Sequence, residues 1–136
     1  MWATPEQFRS RIAEGGFFEW AEYLGNLYGT PMPDLPAGTD VLLEIDLQGA
    51  EQVSARCPDA VVVLLLPPSV EVQEARLVAR GDPEAQVRLR LEKGREEVAR
   101  GRELAQHVVV NGDLDQAVQE LAGIVSRIRG KDADGP

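Results

Sequence analysis

The sequence has 136 residues, 43% of them hydrophobic, which is enough for one compact domain with a core and too little for two. Its 23 acidic and 14 basic side chains give a net charge of −9, and such a field repels phosphate backbones and anionic membranes. We therefore expect no nucleic-acid partner and no membrane partner. The single Cys57 fits a reducing compartment, and the amino terminus lacks a signal-peptide pattern. These features predict a cytoplasmic protein.

The first predicted element is a helix. Thr4 is suited to the N-cap, Pro5 to the first turn, and Gln7 to closing a capping box with Thr4. Gly15-Gly16 then ends the helix.

A pair of extended segments and a loop follow. Residues 17–24 are short, aromatic and apolar with interleaved acids, which predicts an extended segment. Gly25-Asn26 is a turn signal, and residues 27–30 lead out of the turn. Several prolines in and around residues 32–39 predict a loop without helix.

Three nearly continuous apolar runs predict strands that are buried on both faces. They are Val41–Asp46, Ala60–Leu66 and His107–Val110. Helical patterns lie between and after them, at Ala50–Arg56, Val70–Arg80, about Pro83–Ala105 and Asp115–Arg129. The alternation predicts an α/β fold, a parallel sheet with flanking helices. Residues 131–136 are expected to form a frayed tail.

Two carboxylates lie at the end of the first apolar run. Glu44 and Asp46 are two residues apart on a predicted strand, so both project from the same face. Asp46 stands at the carboxyl end, where open α/β sheets bind ligands and where an Asp often holds Mg²⁺ through a water. Taken alone, an Asp that only caps the following loop is the more common interpretation. Glu44, inside an apolar strand, needs a polar partner.

Four arginines surround the predicted helix break at Gly81-Asp82-Pro83. Guanidinium groups match phosphate oxygens, so this cluster is suited to a polyphosphate. The alternative is a solvated helix face that nearby glutamates balance, and the residues alone favour it. The arginines are Arg76, Arg80, Arg88 and Arg90.

The extended segments carry a third candidate site. A carboxylate such as Glu19 can accept hydrogen bonds from the adjacent N1–H and N2–H donors of guanine. Thr30 is suited to the guanine O6, and Tyr28 either to a phosphate oxygen or to plain packing. The only histidine, His107, has no companion His or Cys, so it does not indicate a metal site.

The order of these motifs resembles the guanylate kinase family. The resemblance extends from about Trp2 to Ile128. It implies one guanylate-kinase-like domain over residues 1–130, with the nucleotide-monophosphate-binding segment at about 1–38 and the core and lid at about 39–130. The similar segments are Phe17–Glu22, Gly25–Pro31, Val41–Ala50, Leu66–Ser69, Arg76-Leu77, Arg80-Gly81, Arg90-Leu91 and Val108–Asn111.

The resemblance implies ATP-dependent phosphorylation of GMP to GDP with Mg²⁺. By position, it implies that Glu19 and Thr30 bind guanine and that Tyr28 binds the GMP phosphate. Glu44 and Asp46 would line the GMP and magnesium side, with Asp46 acting on the metal through a water.

The same resemblance assigns the second half of the chain to the lid and the adenine side. Arg80 and Arg90 would close over the transferring phosphate and neutralise its charge. Arg88 is a substitute candidate, because the segment 81–90 is about one residue shorter than usual. Asn111 would lie near the adenine.

The sequence also departs from the family. Guanylate kinases begin with a strand and a Gly-rich loop ending in Gly-Lys-Ser/Thr, which cradles the ATP phosphates. The only lysines here are Lys93 and Lys131, and neither follows such a loop. The family's segment with two arginines and a tyrosine that grips the GMP phosphate is absent as well.

These departures leave two hypotheses open. One is a guanylate kinase truncated at its amino terminus, without the P-loop and the central strand expected between the first two apolar runs, and inactive as it stands. The other is a non-catalytic guanylate-kinase-like module that binds a nucleotide or a protein.

Overall fold

The computed structural model describes residues 3–133, and the side chains of residues 3–130. The chain divides after Val61 into two compact units. Within residues 3–133, no helix combines the length and the apolar character needed to cross a membrane.

The first unit begins with helix α1, Pro5–Ala13. The capping box is present: Thr4 Oγ1 accepts from Gln7 N at 3.2 Å, and Gln7 Oε1 accepts from Thr4 N at 2.9 Å. The helix ends before Gly15, which has a positive φ of 70°. The predicted helix start and stop are confirmed.

Strands β1, Phe17–Tyr23, and β2, Asn26–Pro31, form an antiparallel hairpin. Tyr23 pairs with Asn26, so the loop is Leu24-Gly25, one residue earlier than the predicted turn. Both loop residues have positive φ, 51° and 78°. A two-residue loop of this kind twists in the same sense as the strands it joins, which explains the shift.

Buried residues of β1 contribute to the core of the first unit. Phe17, Glu19 and Ala21 are buried. The pairing with β2 is irregular between Phe17 and Glu19, and the Phe17 ring lies close to Gly29 of β2. The ring of Phe8 stacks on Phe17 with 4.4 Å between centroids. Helix α2, Leu47–Arg56, packs against β1.

The predicted strand Val41–Asp46 is wrong. The segment belongs to no sheet, Leu42 is 90% exposed and Glu44 is exposed. A strand requires a hydrogen-bonded neighbour, and no strand within residues 3–133 pairs with this segment. Because Glu44 reaches solvent, it does not need the buried polar partner that a strand would have required.

The second unit contains a two-stranded parallel sheet and three helices. Strand β3, Val63–Leu66, pairs with β4, His107–Val110, in register from Val63↔His107 to Leu66↔Val110. This confirms an α/β fold with a parallel sheet, although two of the three predicted strands form it. The helices are α3, Val70–Ala79, α4, Glu84–Leu104, and α5, Leu114–Ala133. Residues 134–136 of the expected tail lie outside the described residues.

Helices cover both faces of this sheet. Val109 on β4 is 1% exposed and packs with Ala117 and Ile124 of α5, and Val63 joins the same cluster. Leu64 points to the opposite face, where it meets Gly101 of α4 so closely that an added Cβ would lie 2.9 Å from Leu64 Cδ1. The close approach of α4 therefore depends on glycine at this position.

The strained hairpin loop gives a first prediction. Leucine at positive φ costs about 1–2 kcal/mol, whereas Asn tolerates this conformation. We expect Leu24→Asn to raise the free energy of unfolding by about 1 kcal/mol in urea unfolding followed by circular dichroism.

Gly25→Ala is the matched control. An added Cβ at Gly25 meets nothing within 4 Å, so only backbone strain changes, and we expect a loss of about 1 kcal/mol. A destabilised Leu24→Asn variant would contradict this account of the loop.

Candidate functional site

The hairpin holds a buried carboxylate. Glu19, only 4% exposed, lies opposite Thr30, and its Oε1 accepts both the Thr30 amide at 3.0 Å and the Thr30 hydroxyl at 2.5 Å. The other oxygen, Oε2, accepts no hydrogen bond from the part of the chain that the structure describes. A Cβ at Gly49 would lie 2.5 Å from Oε2, so only glycine allows α2 this close to the carboxylate.

Tyr28 shares the face of the hairpin that carries Glu19 and Thr30. It stands two residues before Thr30 on β2, opposite Ala21, and side chains two residues apart along a strand share a face. Tyr28 is 56% exposed. The structure thus brings Glu19, Thr30 and Tyr28 together, with one carboxylate buried and one phenol accessible.

Asp46 caps helix α2. Its Oδ1 accepts from Gly49 N at 2.9 Å, and its other oxygen accepts no hydrogen bond from residues 3–130. Gly49 therefore lies beside two carboxylates, since its amide binds Asp46 and its Cα faces Glu19. No group of three His, Cys, Asp or Glu side chains suited to a metal ion occurs among the described residues.

In the second unit, two of the predicted arginines converge on Asp82. Arg80 donates to both Asp82 oxygens, at 3.3 and 2.7 Å, and Arg90 Nε lies 3.7 Å from Oδ2. The hydrogen bond from Arg80, reinforced by the charges of Arg80 and Arg90, holds the pKa of Asp82 below its ordinary value. Arg88 is elsewhere: it pairs with Glu84 at 3.7 Å, and its side chain is 77% exposed.

A cleft of about 340 Å³ opens at the carboxyl ends of β3 and β4, the edge where α/β sheets bind ligands. Asn111 N donates to Leu66 O at 2.7 Å and extends the strand pairing into the cleft wall. Arg76 Nη2 donates to Asn111 O at 3.1 Å. The cleft is lined by Leu65, Leu66, Pro67, Gln73, Arg76, Leu77, Arg80 and Asn111.

Residues 2–128 match the family model described as guanylate kinase. The chain belongs to the guanylate kinase family. It is 45% identical over 127 residues to a guanylate kinase of a Synechococcus species, and 44% identical over 129 residues to one of Syntrophotalea carbinolica. The crystal structure of guanylate kinase from Anaplasma phagocytophilum matches with a TM-score of 0.74 and 27% identity.

These matches cover nearly all of this chain but only about three fifths of each matched protein. The two relatives align with 90% of this chain, and the solved structure with 93%. The chain spans 58% and 60% of the length of the two curated relatives and 63% of the solved structure.

One residue in each unit was not among the predicted site residues, Gly49 in the first unit and Asp82 in the second. Asp82 was considered only as part of a helix break, although an acid between Arg80 and Arg90 is itself a signal for an ion pair. Gly49 stood only within the similar segment Val41–Ala50 and had no role of its own there. Glycine is required at this position because of Glu19, which is thirty residues away in the sequence and is buried only in the folded hairpin.

Asp82 generates a second prediction, on pH dependence. Because its folded pKa is lowered, Asp82 stabilises the fold above its unfolded pKa of about 4, and this contribution is lost as the pH falls through the folded pKa. We expect Asp82→Asn to be less stable than wild type in urea at pH 7, and the difference to shrink below about pH 4.

Glu84→Gln is the control, since it removes one carboxylate from the exposed pair with Arg88 and should change stability by less than about 0.5 kcal/mol. A difference between wild type and Asp82→Asn that stays constant down to pH 2 would show that the charge of Asp82 is not responsible.

Proposed function

We propose that this chain supplies the GMP-binding and lid parts of a guanylate kinase, which transfers a phosphoryl group from ATP to GMP and forms GDP. The observation that carries the proposal is the buried Glu19 carboxylate, hydrogen-bonded to Thr30 and sharing a hairpin face with the exposed Tyr28. Burying a charged group costs free energy, so a buried carboxylate is uncommon unless it has a function. Guanine recognition would be such a function.

The hydrogen bonds suggest how guanine would be bound. The N1–H and N2–H donors of guanine need two acceptors, and the Glu19 carboxylate offers Oε2 at once. Oε1 becomes available when the Thr30 hydroxyl turns away. That hydroxyl can then donate to the guanine O6, while the Thr30 amide stays on Oε1. Adenine lacks the N1–H donor and presents a donor in place of O6, so the same groups disfavour it.

The remaining roles concern phosphates and ATP. We propose that Tyr28 donates to the GMP phosphate, and that Arg80 and Arg90 neutralise the transferring phosphate after exchanging Asp82 for it. Arg88 remains a weaker candidate because it is exposed and paired with Glu84. Asn111, in the wall of the cleft beside Arg76, is proposed to lie near adenine.

Mg²⁺ is the metal that this function implies, and the residues fit it. Carboxylate oxygen is a ligand that Mg²⁺ accepts, often through water. Asp46 is oriented by its bond to Gly49 N and has a second oxygen for a metal-bound water, and Glu44 is exposed two residues earlier. When bound, the metal would neutralise charge on the phosphates.

The second candidate function is a non-catalytic module that binds a nucleotide or a protein. It is favoured by one observation, that the 136 residues include no Gly-rich loop ending in Gly-Lys-Ser/Thr. A module that binds a nucleotide would share guanine recognition with the first candidate, a module that binds a protein would not, and neither would transfer a phosphoryl group. The cytoplasmic location stays a prediction from the sequence.

Guanine recognition is tested by calorimetry with GMP and AMP. We expect weak binding that favours GMP roughly tenfold or more, the discrimination that one bidentate contact supplies. Glu19→Gln should abolish the preference, because an amide NH₂ cannot accept from guanine. Glu22→Gln is the matched control, since Glu22 is exposed and its side chain lies on the other face of β1. Equal affinity of the wild type for GMP and AMP would remove Glu19 from its proposed role.

Phosphoryl transfer is tested in a coupled kinase assay with the polypeptide of residues 1–136. We expect no GMP phosphorylation above background, because no segment of this sequence is suited to hold the ATP γ-phosphate in line with GMP. Turnover on the order of 1–100 s⁻¹, as kinases show, would contradict this expectation and exclude the non-catalytic alternative.

A further inference from the structure

The outer edge of β1 is covered by side chains instead of a third strand. The backbone of Trp20 points away from β2, and the Gln52 side chain of α2 binds both of its polar groups. Gln52 Oε1 accepts from Trp20 N at 3.1 Å, and Gln52 Nε2 donates to Trp20 O. One amide side chain thus replaces the hydrogen bonds that a neighbouring strand would have made.

Two further residues of α2 extend this pattern to both sides. Gln48 Nε2 donates to Glu22 O at 3.1 Å. Arg56 Nη1 donates to Phe18 O at 2.7 Å and to the carbonyl of the preceding residue at 3.1 Å. We name Gln48, Gln52 and Arg56 the edge ladder.

The spacing of the edge ladder matches the spacing of the strand. Its members are four residues apart, a rise of about 6 Å along a helix. The β1 residues that they bind are two apart, a rise of about 7 Å along a strand. Moving four residues toward the carboxyl end of α2 corresponds to moving two residues toward the amino end of β1. Helix and strand therefore run antiparallel, and the two distances are nearly equal. This match allows all three side chains to bind at once.

The edge ladder admits a single register. Trp20 and Glu22 turn polar groups outward, whereas Ala21 between them binds β2. At the irregular pairing near Phe17, two successive carbonyls face outward and both accept from Arg56. A slip of one residue would therefore leave Gln48 and Gln52 opposite groups that bind β2. Apolar packing of α2, such as that of the buried Val53, is less directional and tolerates small shifts.

We propose that the edge ladder positions Glu19 for guanine recognition, an inference that rests on the proposed function. Gly49 belongs to the same helix, between Gln48 and Gln52, and lies against Oε2 of Glu19. Fixing α2 along β1 thus fixes Gly49 against Oε2, the Glu19 oxygen that is proposed to accept from guanine without any rearrangement of Thr30. Gln48, Gln52 and Arg56 are positioning residues, since they act on guanine only through Glu19.

The test uses Gln52→Met, which keeps the length of the side chain and removes both hydrogen bonds to Trp20. Amide hydrogen exchange by NMR reports the Trp20 N–H, and calorimetry reports the affinities for GMP and AMP. We expect faster exchange at Trp20 and a loss of roughly tenfold in the preference for GMP, about the worth of one bidentate contact. Gln119→Met is the control, because Gln119 is exposed on α5.

Gln52→Glu is the second variant and keeps the inference testable if Gln52→Met unfolds. Its carboxylate still accepts from Trp20 N but cannot donate to Trp20 O, so protection of Trp20 should persist with an intermediate preference for GMP. The inference is overturned if Gln52→Met folds, exchanges the Trp20 amide faster and still prefers GMP as strongly as the wild type. If only Gln52→Glu folds, the inference is overturned when that variant prefers GMP as strongly as the wild type. A wild type without preference overturns the proposed function and the inference together.

Discussion

The buried carboxylate of Glu19 is the constraint on which the first unit depends. A charge removed from water is costly unless hydrogen bonds compensate it, and here Thr30 supplies two. Thr30 lies opposite Glu19 only because the two-residue loop Leu24-Gly25 sets the register of the hairpin. A one-residue slip would turn the Thr30 side chain to the other face. The positive φ at Leu24 and the glycine at position 49 therefore both serve to place the same carboxylate.

The arginines of the second unit follow a different physical principle. Arg80 is 58% exposed, and its partner Asp82 is a local counter-charge in a chain of net charge −9. Partly exposed ion pairs contribute little free energy, so a phosphate can take the place of Asp82 without a large loss. Recognition of a base requires fixed donors and acceptors, whereas an arginine can bind a phosphate by exchanging one weakly bound anionic partner for another. In agreement with this difference, Glu19 is buried whereas the side chain of Arg80 is largely exposed.

Several elements could be predicted because the deciding signal was local. Thr4 and Gln7 close their capping box within three residues, and β4 is a short apolar run between two helices. The segment Val41–Asp46 has the same composition, but its conformation depends on a neighbouring strand, which composition does not report. The edge ladder was missed for a similar reason. Its helical spacing can be read from the sequence, but its partners are backbone groups of a strand about thirty residues away.

Asp46 shows why a structural role and a binding role need not exclude one another. A carboxylate has two oxygens, and capping α2 uses only one of them. The bond to Gly49 N holds the side chain in one orientation, so a ligand at the second oxygen does not bear the entropy cost of ordering it. Glu19 divides its oxygens in the same way, since Oε1 binds Thr30 and Oε2 lies against Gly49. A capping role, which was the alternative to ligand binding, thus becomes the physical basis of the proposed site, although Asp46 caps helix α2 and not a loop.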